Sequence, residues 1–154
     1  QINESSKDVE FRKFIRDEII LITPLDHPWG ARKCIAPDEL FDADFIMREQ
    51  SSGTIIALNA ALSRIGIQYS TLRPLMTLGN SEAIALSVQE GLGVGFVSEI
   101  VVNKLGLKQV STIKVEGLDI NRDIYIGRNI IQPATIAQNT FWDFIQGLPY
   151  PFPI

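Results

Sequence analysis

Two short polar stretches carry the residue types that could bind a ligand: Ser51-Ser52-Gly53-Thr54 and Gly79-Asn80-Ser81. Each follows an apolar run, Asp44-Phe45-Ile46-Met47 in one case and Leu75-Met76-Thr77-Leu78 in the other. Each also precedes apolar residues at helical spacing. A strand that turns through small hydroxyl and amide residues into a helix leaves backbone N–H groups facing outward at the positive end of the helix dipole. That arrangement suits a carboxylate or another small anion. The same residues also act as plain helix caps, and for a single copy capping is the default reading. Repetition of the device gives binding more weight. Two strand–loop–helix units in tandem imply a parallel sheet, whose ligands bind beyond the carboxyl ends of the strands, so both loops fall on one edge.

Arg48, at the end of the first of these strands, has the guanidinium fork to hold a ligand carboxylate. An ion pair with Glu49 or a nearby Asp is the competing reading. Phe96, in the buried-strand pattern Val94-Gly95-Phe96-Val97-Ser98, either walls a small cleft or belongs to the core.

Other chemistry has less support. His27 and Cys34 are the only residues of their types, and no orienting third group accompanies them. One His and one Cys cannot supply a tetrahedral metal site, and the carboxylates lack calcium-loop spacing. Gly91-Leu92-Gly93-Val94-Gly95 follows a helix and opens a strand, the reverse of a dinucleotide loop, so it reads as a helix stop and a close-packed turn. No acid, base or nucleophile can be named. The sequence therefore reads as non-enzymatic, without metal or cofactor.

The 154 residues, 45% of them hydrophobic, suffice for one core of ordinary size. A net charge of −4, with 14 scattered Lys and Arg, argues against this polypeptide itself binding nucleic acid. No apolar run is long enough to span a bilayer as a helix. The single cysteine suits a reducing compartment, and the expected location is cytoplasmic. The opening Gln1-Ile2-Asn3-Glu4-Ser5-Ser6-Lys7-Asp8 reads as an internal loop, which suggests a piece of a longer polypeptide.

The elements that must position the two loops follow in order. Ile19-Ile20-Leu21-Ile22 is a buried strand ended by Pro24, and Asp26-His27-Pro28-Trp29-Gly30 is a turn. Residues 36–40 form one helical turn. The strand 44–48 feeds a helix from about Thr54 to Ile65, stopped by Gly66. The next strand, 72–78, holds Pro74 and so lies at an edge or carries a bulge. A helix from Ser81 to about Glu90 and the strand 94–97 follow. Residues 101–107 make a short helix, and 110–115 and 123–127 are candidate strands. Pro133 then opens an amphipathic helix that turns Ile136, Phe141, Phe144 and Ile145 inward and stops at Gly147. The proline-rich tail from Leu148 cannot continue it.

Arg48-Glu49-Gln50-Ser51-Ser52-Gly53-Thr54 resembles the Arg-Glu-x-Gly-Ser-Gly-Thr signature of LysR-type transcriptional regulators, with Ser51 where glycine is frequent. The run Asp17-Glu18-Ile19-Ile20-Leu21-Ile22-Thr23-Pro24-Leu25-Asp26-His27-Pro28-Trp29 is similar to the family's crossover strand and His-Pro turn. Gly79-Asn80-Ser81-Glu82-Ala83-Ile84 and Glu90-Gly91-Leu92-Gly93-Val94-Gly95-Phe96-Val97-Ser98 resemble its second ligand loop and the strand after it.

The resemblance implies an α/β fold, a three-layer sandwich of the periplasmic-binding-protein type, with one complete subdomain and part of a second. Residues 1–30 would be a crossover, 31–98 the second effector-binding subdomain, and 99–154 the return crossover and C-terminal helix. It further implies a small anionic effector held by Ser51, Ser52, Gly53, Thr54, Asn80, Ser81 and Phe96, with Asn3 near the opposite wall. A homodimer or tetramer is implied, with the helix 54–65 and the strand 72–78 as pairing surface, and DNA contact only through a helix-turn-helix absent from this chain. The alternative is an extracellular type-2 solute-binding protein, which shares the two-lobed architecture.

Overall fold

A computed structural model describes residues 8–152. The chain divides into two compact units, one of Asp17–Arg122 and one built from the stretches flanking it. The first strand, β1 (Val9–Pro24), runs through both.

In the Asp17–Arg122 unit the elements after β1 are β2 (Cys34–Ile35), a 3-10 turn (Pro37–Asp42), β3 (Asp44–Arg48), α1 (Gly53–Arg64), β4 (Arg73–Leu78), α2 (Ser81–Gln89), β5 (Gly95–Ser98), α3 (Glu99–Leu105) and β6 (Val110–Val115). The last strand, β7 (Asn121–Asn129), begins in this unit and leaves it. Four strands pair in the order β2-β6-β1-β5, and β3 pairs with β4. A parallel bridge between Phe45 and Val94 joins the two sets. The Ile46 N–H donates to the Val94 carbonyl at 2.8 Å and the Val94 N–H to the Asp44 carbonyl at 3.0 Å.

The mixed sheet is covered on both faces, because successive strand residues point to opposite sides. Ile19 and Leu21 of β1 join Phe45, Phe96 and the α1 residues Ile55, Leu58 and Leu62. Ile20 and Ile22 join Ile84, Ala85 and Val88 of α2, with Val101 and Val102 of α3 packed against them. Ile55, Leu58 and Leu62 are almost wholly buried. At about 1.5–3 kcal/mol for each such side chain, this one face of α1 supplies a large share of the unit's cohesion.

Both helices after the loops are bounded as their sequences dictate. Ser52 caps α1, its Oγ accepting from the Thr54 N–H, and Asn80 caps α2, its Oδ1 accepting from the Ala83 N–H at 2.6 Å. Gly91, at φ +79°, ends α2, with the N–H of Leu92 returning to the Ser87 carbonyl. Gly93 and Gly95 serve close packing instead: a Cβ on Gly93 would fall 2.6 Å from the Asp44 carbonyl oxygen, and one on Gly95 2.7 Å from Ile84 Cγ2. Pro74 lies on β4, the outermost strand, and the register slips between Phe45 and Ile46 opposite it. The missing proline N–H is tolerated there because a ladder bond is already interrupted.

The compact unit that includes residues 31–98 extends from Asp17 to Arg122, with β1 and β6 completing its sheet. Strand β1 continues through the charged Arg16-Asp17-Glu18, where Asp17 is 1% exposed and partnered. One expectation needs correction. The last helix, α4 (Ile136–Gln146), buries Trp142 and Ile145, whereas Ile136, Phe141 and Phe144 are exposed. It also starts three residues after Pro133, where Thr135 and Gln138 form a capping box.

In the flanking unit, β7 pairs with β1, and just beyond it the Ile130 N–H donates to the Asp8 carbonyl. The Arg128 guanidinium pairs with Glu10 and lies 4.5 Å over the Trp142 ring. The tail is held by Phe152 stacked on Phe14 and by Tyr150 donating to Asp123. The Asn3 expectation lies outside the described residues.

Candidate functional site

Both polar loops do lie at one edge of the sheet. The parallel register Arg48↔Leu78 brings the ends of β3 and β4 level, and the loops leave from there. The antiparallel register Ile19↔Ser98 places the end of β5 and the Asp17 side of β1 at the same edge.

The first loop is open. Ser51 and Gly53 are exposed, no acidic residue occupies the first turn of α1, and a Cβ built on Gly53 would meet nothing within 4 Å. Ser52 is buried and acts as the cap, its Oγ 3.2 Å from the Thr54 nitrogen, while its carbonyl accepts from Ile55 and Ile56. For Ser52 the capping role is thus observed. Thr54 is buried beneath the loop, and its Oγ1 accepts from Arg122 Nη1 at 3.0 Å.

The second loop is already supplied with partners. Asn80 is the cap, and Ser81 Oγ accepts from Arg48 Nη1 at 3.0 Å. Arg48 Nε donates to Glu49 Oε2 at 2.7 Å, so this arginine makes the internal ion pair and ties the two loops together. That hydrogen bond holds the Glu49 carboxyl below its ordinary range. The Glu49 carboxylate also lies over Gly79, 4.0 Å from where a Cβ would stand, and Glu82 sits in the first turn of α2. Negative charge at a helix N-terminus is satisfied here from within the chain. The Arg48 N–H donates to the Tyr69 hydroxyl, and burial pushes that phenol above its ordinary value.

Phe96 is not beside the loops. It is 4% exposed and stacks on Phe45 with ring centroids 5.8 Å apart, so it belongs to the core. Side chains on a strand alternate, and the same-face residue that β5 delivers to the edge is Ser98.

Ser98, with Asp17 and Arg122, is what the sequence reading missed. Ser98 Oγ donates to Asp17 Oδ1 at 2.7 Å, and Arg122 reaches Asp17 Oδ2 with Nε at 2.8 Å and Nη2 at 2.7 Å. Asp17 is one of six charged residues on β1 and directly precedes its apolar run, so nothing local singles it out. Nothing local marks Arg122 as its partner.

The remaining candidates are engaged elsewhere. His27 Nδ1 accepts from the Trp29 N–H at 3.2 Å, and burial lowers the imidazole pKa. Cys34 is exposed. Among the described residues, no group of three or more His, Cys, Asp and Glu is placed to hold a metal ion, and no helix is long and apolar enough to cross a membrane. A separate concavity of about 690 Å³ beside the first loop is lined by Arg48, Glu49, Gln50, Asn59 and Tyr69, among others.

Comparison with known proteins places this geometry. The model of the LysR substrate binding domain matches residues 2–148. A probable RuBisCO transcriptional regulator of Cyanidium caldarium is 34% identical over 146 residues, covering 94% of this chain and 46% of that protein. The RuBisCO operon transcriptional regulator of Allochromatium vinosum is 30% identical over 139 residues, covering 90% and 45%. The chain thus spans about half the length of these relatives. Among solved structures, the regulatory domain of Synechocystis PCC6803 CcmR in complex with 2-PG matches with a TM-score of 0.76 and 25% identity, covering 90% of this chain and 65% of that one. The effector binding domain of QuiR in complex with shikimate shares the fold, with a TM-score of 0.78 at 20% identity over 92% of this chain and 66% of that one.

Proposed function

Because this chain belongs to the LysR substrate binding domain family, we propose that it senses a small anionic metabolite for a LysR-type transcriptional regulator. The observation that carries this reading is the asymmetry of the two loops. The N-terminus of α1 offers exposed Ser51 and Gly53 with no acidic residue in its first turn, whereas the N-terminus of α2 is flanked by Glu49 and Glu82. One carboxylate or phosphate of the ligand docks on the first loop, where backbone N–H groups and the dipole favour it. Asn80 and Ser81 then meet the less charged end of the same molecule. The ligands named for the CcmR and QuiR structures, 2-PG and shikimate, support a small oxygen-rich acid.

The domain is a sensor and not an enzyme. His27, held on Trp29, and Cys34, exposed on β2, support that view, since neither is part of a nucleophile–base pair. Ligand binding shifts a conformational equilibrium that a DNA-binding segment of the regulator reads, in the cytoplasm and in an oligomer. Ile56 on α1 and Leu75 on the outermost strand β4, both about half exposed, supply its pairing surface. Regulators among the matched relatives favour this assignment over a solute receptor.

The test is Gly53→Ala. The added methyl meets no protein atom, so the fold survives, but it stands where a ligand oxygen must approach the loop. Calorimetric titration with 2-PG and with shikimate should give binding of at least one compound to the wild-type protein and a loss of roughly tenfold or more in the variant, the scale of one displaced polar contact. Unchanged affinity would remove the first loop from the site.

A further inference from the structure

The chain passes between its two units at two points, after Arg16 and after Arg122. The residues that open and close the Asp17–Arg122 unit at these points, Asp17 and Arg122, are bonded to each other. The same guanidinium also donates to Thr54 Oγ1, in the first turn of α1. We propose that Arg122 is a positioning residue that joins the first loop to both chain crossings, so that a ligand on the loop is felt at the crossings through Thr54, Arg122 and Asp17. This rests on the ligand reading given above.

Three features support it. The network is buried at its ends: Asp17 is 1% exposed, and Thr54 and Ser98 4% each. Every nitrogen of the guanidinium and both oxygens of the carboxylate have a partner. Arg122 Nε and Nη2 serve one carboxylate oxygen, Ser98 Oγ serves the other, and Arg122 Nη1 is left for Thr54. A lysine could not make these bonds together, because its single ammonium lacks the rigid fork. Moreover, a buried ion pair is a weak source of stability, since apolar residues of similar volume commonly serve as well. Its use here is to fix position. Three segments far apart in sequence meet at one guanidinium, and α1 cannot shift its first turn without moving an arginine clamped to β1.

The test is hydrogen exchange followed by mass spectrometry on three variants. Thr54→Val removes the hydroxyl and keeps the shape. It should speed exchange on the order of tenfold, not only at 52–57 but also in peptides containing 16–20 and 120–124, as expected for loss of a hydrogen bond to a charged group. Thr54→Ser retains the hydroxyl and should match the wild type. Arg122→Lys should reproduce Thr54→Val at the crossings. A change confined to 52–57, or a serine variant that behaves like valine, would overturn the proposal. Adding 2-PG separates the two readings. In the wild type, protection at 52–57 should be accompanied by protection at the crossings, and Arg122→Lys, which leaves the loop residues themselves intact, should keep the first and lose the second. If 2-PG protects nothing, the ligand reading is what that probe fails to support, while the comparison without it still decides the role of Arg122.

Discussion

Replacing Asp17 with asparagine tests the buried network by its energetics. The carboxylate accepts from Ser98 at 2.7 Å and twice from Arg122, at 2.7 and 2.8 Å, with essentially no access to water. The amide introduced by Asp17→Asn would retain an oxygen for Arg122 and turn an NH2 group toward Ser98, whose hydroxyl can rotate to accept. What is lost is the charge. Removing one partner of a buried ion pair costs about 3–5 kcal/mol. Arg122, however, keeps a 26% exposed side chain and recovers part of that by hydration, so the expected loss is about 2–3 kcal/mol. That is a large fraction of the roughly 5–15 kcal/mol that holds a domain folded. The assay is urea unfolding followed by tryptophan fluorescence. Trp29 is the only tryptophan in the Asp17–Arg122 unit, and it is buried. The midpoint should fall while the slope stays constant. The double variant Asp17→Leu, Arg122→Met should recover most of the loss, because it leaves no charge behind. A single variant within about 0.5 kcal/mol of wild type, the ordinary range of a surface change, would refute the reasoning.

Other outcomes follow from the same structure. Gly95→Ala should destabilise by about 1–3 kcal/mol, since its Cβ would stand 2.7 Å from Ile84 Cγ2 in a filled core; an unchanged melt would show that the helix yields freely. Asn80→Ala should cost about 1 kcal/mol through loss of the α2 cap, measurable by the same unfolding curves, and a neutral result would mean that another group caps the helix. His27, the only histidine, should titrate by NMR below its ordinary 6.5, because burial disfavours the cation and the Trp29 N–H needs its free Nδ1. The folded-state value is the lower one, so the contribution to stability is complete above the ordinary value and fades as pH falls through the folded one. A midpoint above 6.5 would contradict this. Ile56→Asp and Leu75→Asp should lower the oligomeric state in sedimentation without unfolding the chain, and no change would remove that face from the pairing surface.

The sheet and its two loops were legible because their signals are local. Ile55, Leu58 and Leu62 repeat at helical spacing, Ser52 and Asn80 announce helix starts, and Gly66 and Gly91 announce stops. The placement of Pro74 at an edge followed from the chemistry of one residue. What escaped depends on partners distant in sequence. Asp17 is one charge among several on β1 until Arg122 is brought to it from 105 residues away. Arg122 itself stands in no motif. Phe96 lies near a strand end, which suits a cleft wall, but Ser98, two residues further along on the same face, takes the edge, and Phe96 stacks on Phe45 in the core. In α4, five large apolar residues compete for one inward face. Trp142, beneath Arg128, and Ile145 take it, leaving Ile136, Phe141 and Phe144 on the outside.

The central claim is that a ligand sits on the first loop at the carboxyl edge of the sheet. The most direct measurement is an amide NMR titration of the isotopically labelled protein with 2-PG and then shikimate. The largest shifts should fall on Ser51, Gly53, Thr54 and Ser81, with the Arg122 guanidinium signals moving in step. Shifts confined to Asn59, Tyr69 and the other residues lining the neighbouring concavity, or a protein that responds to neither compound, would contradict it.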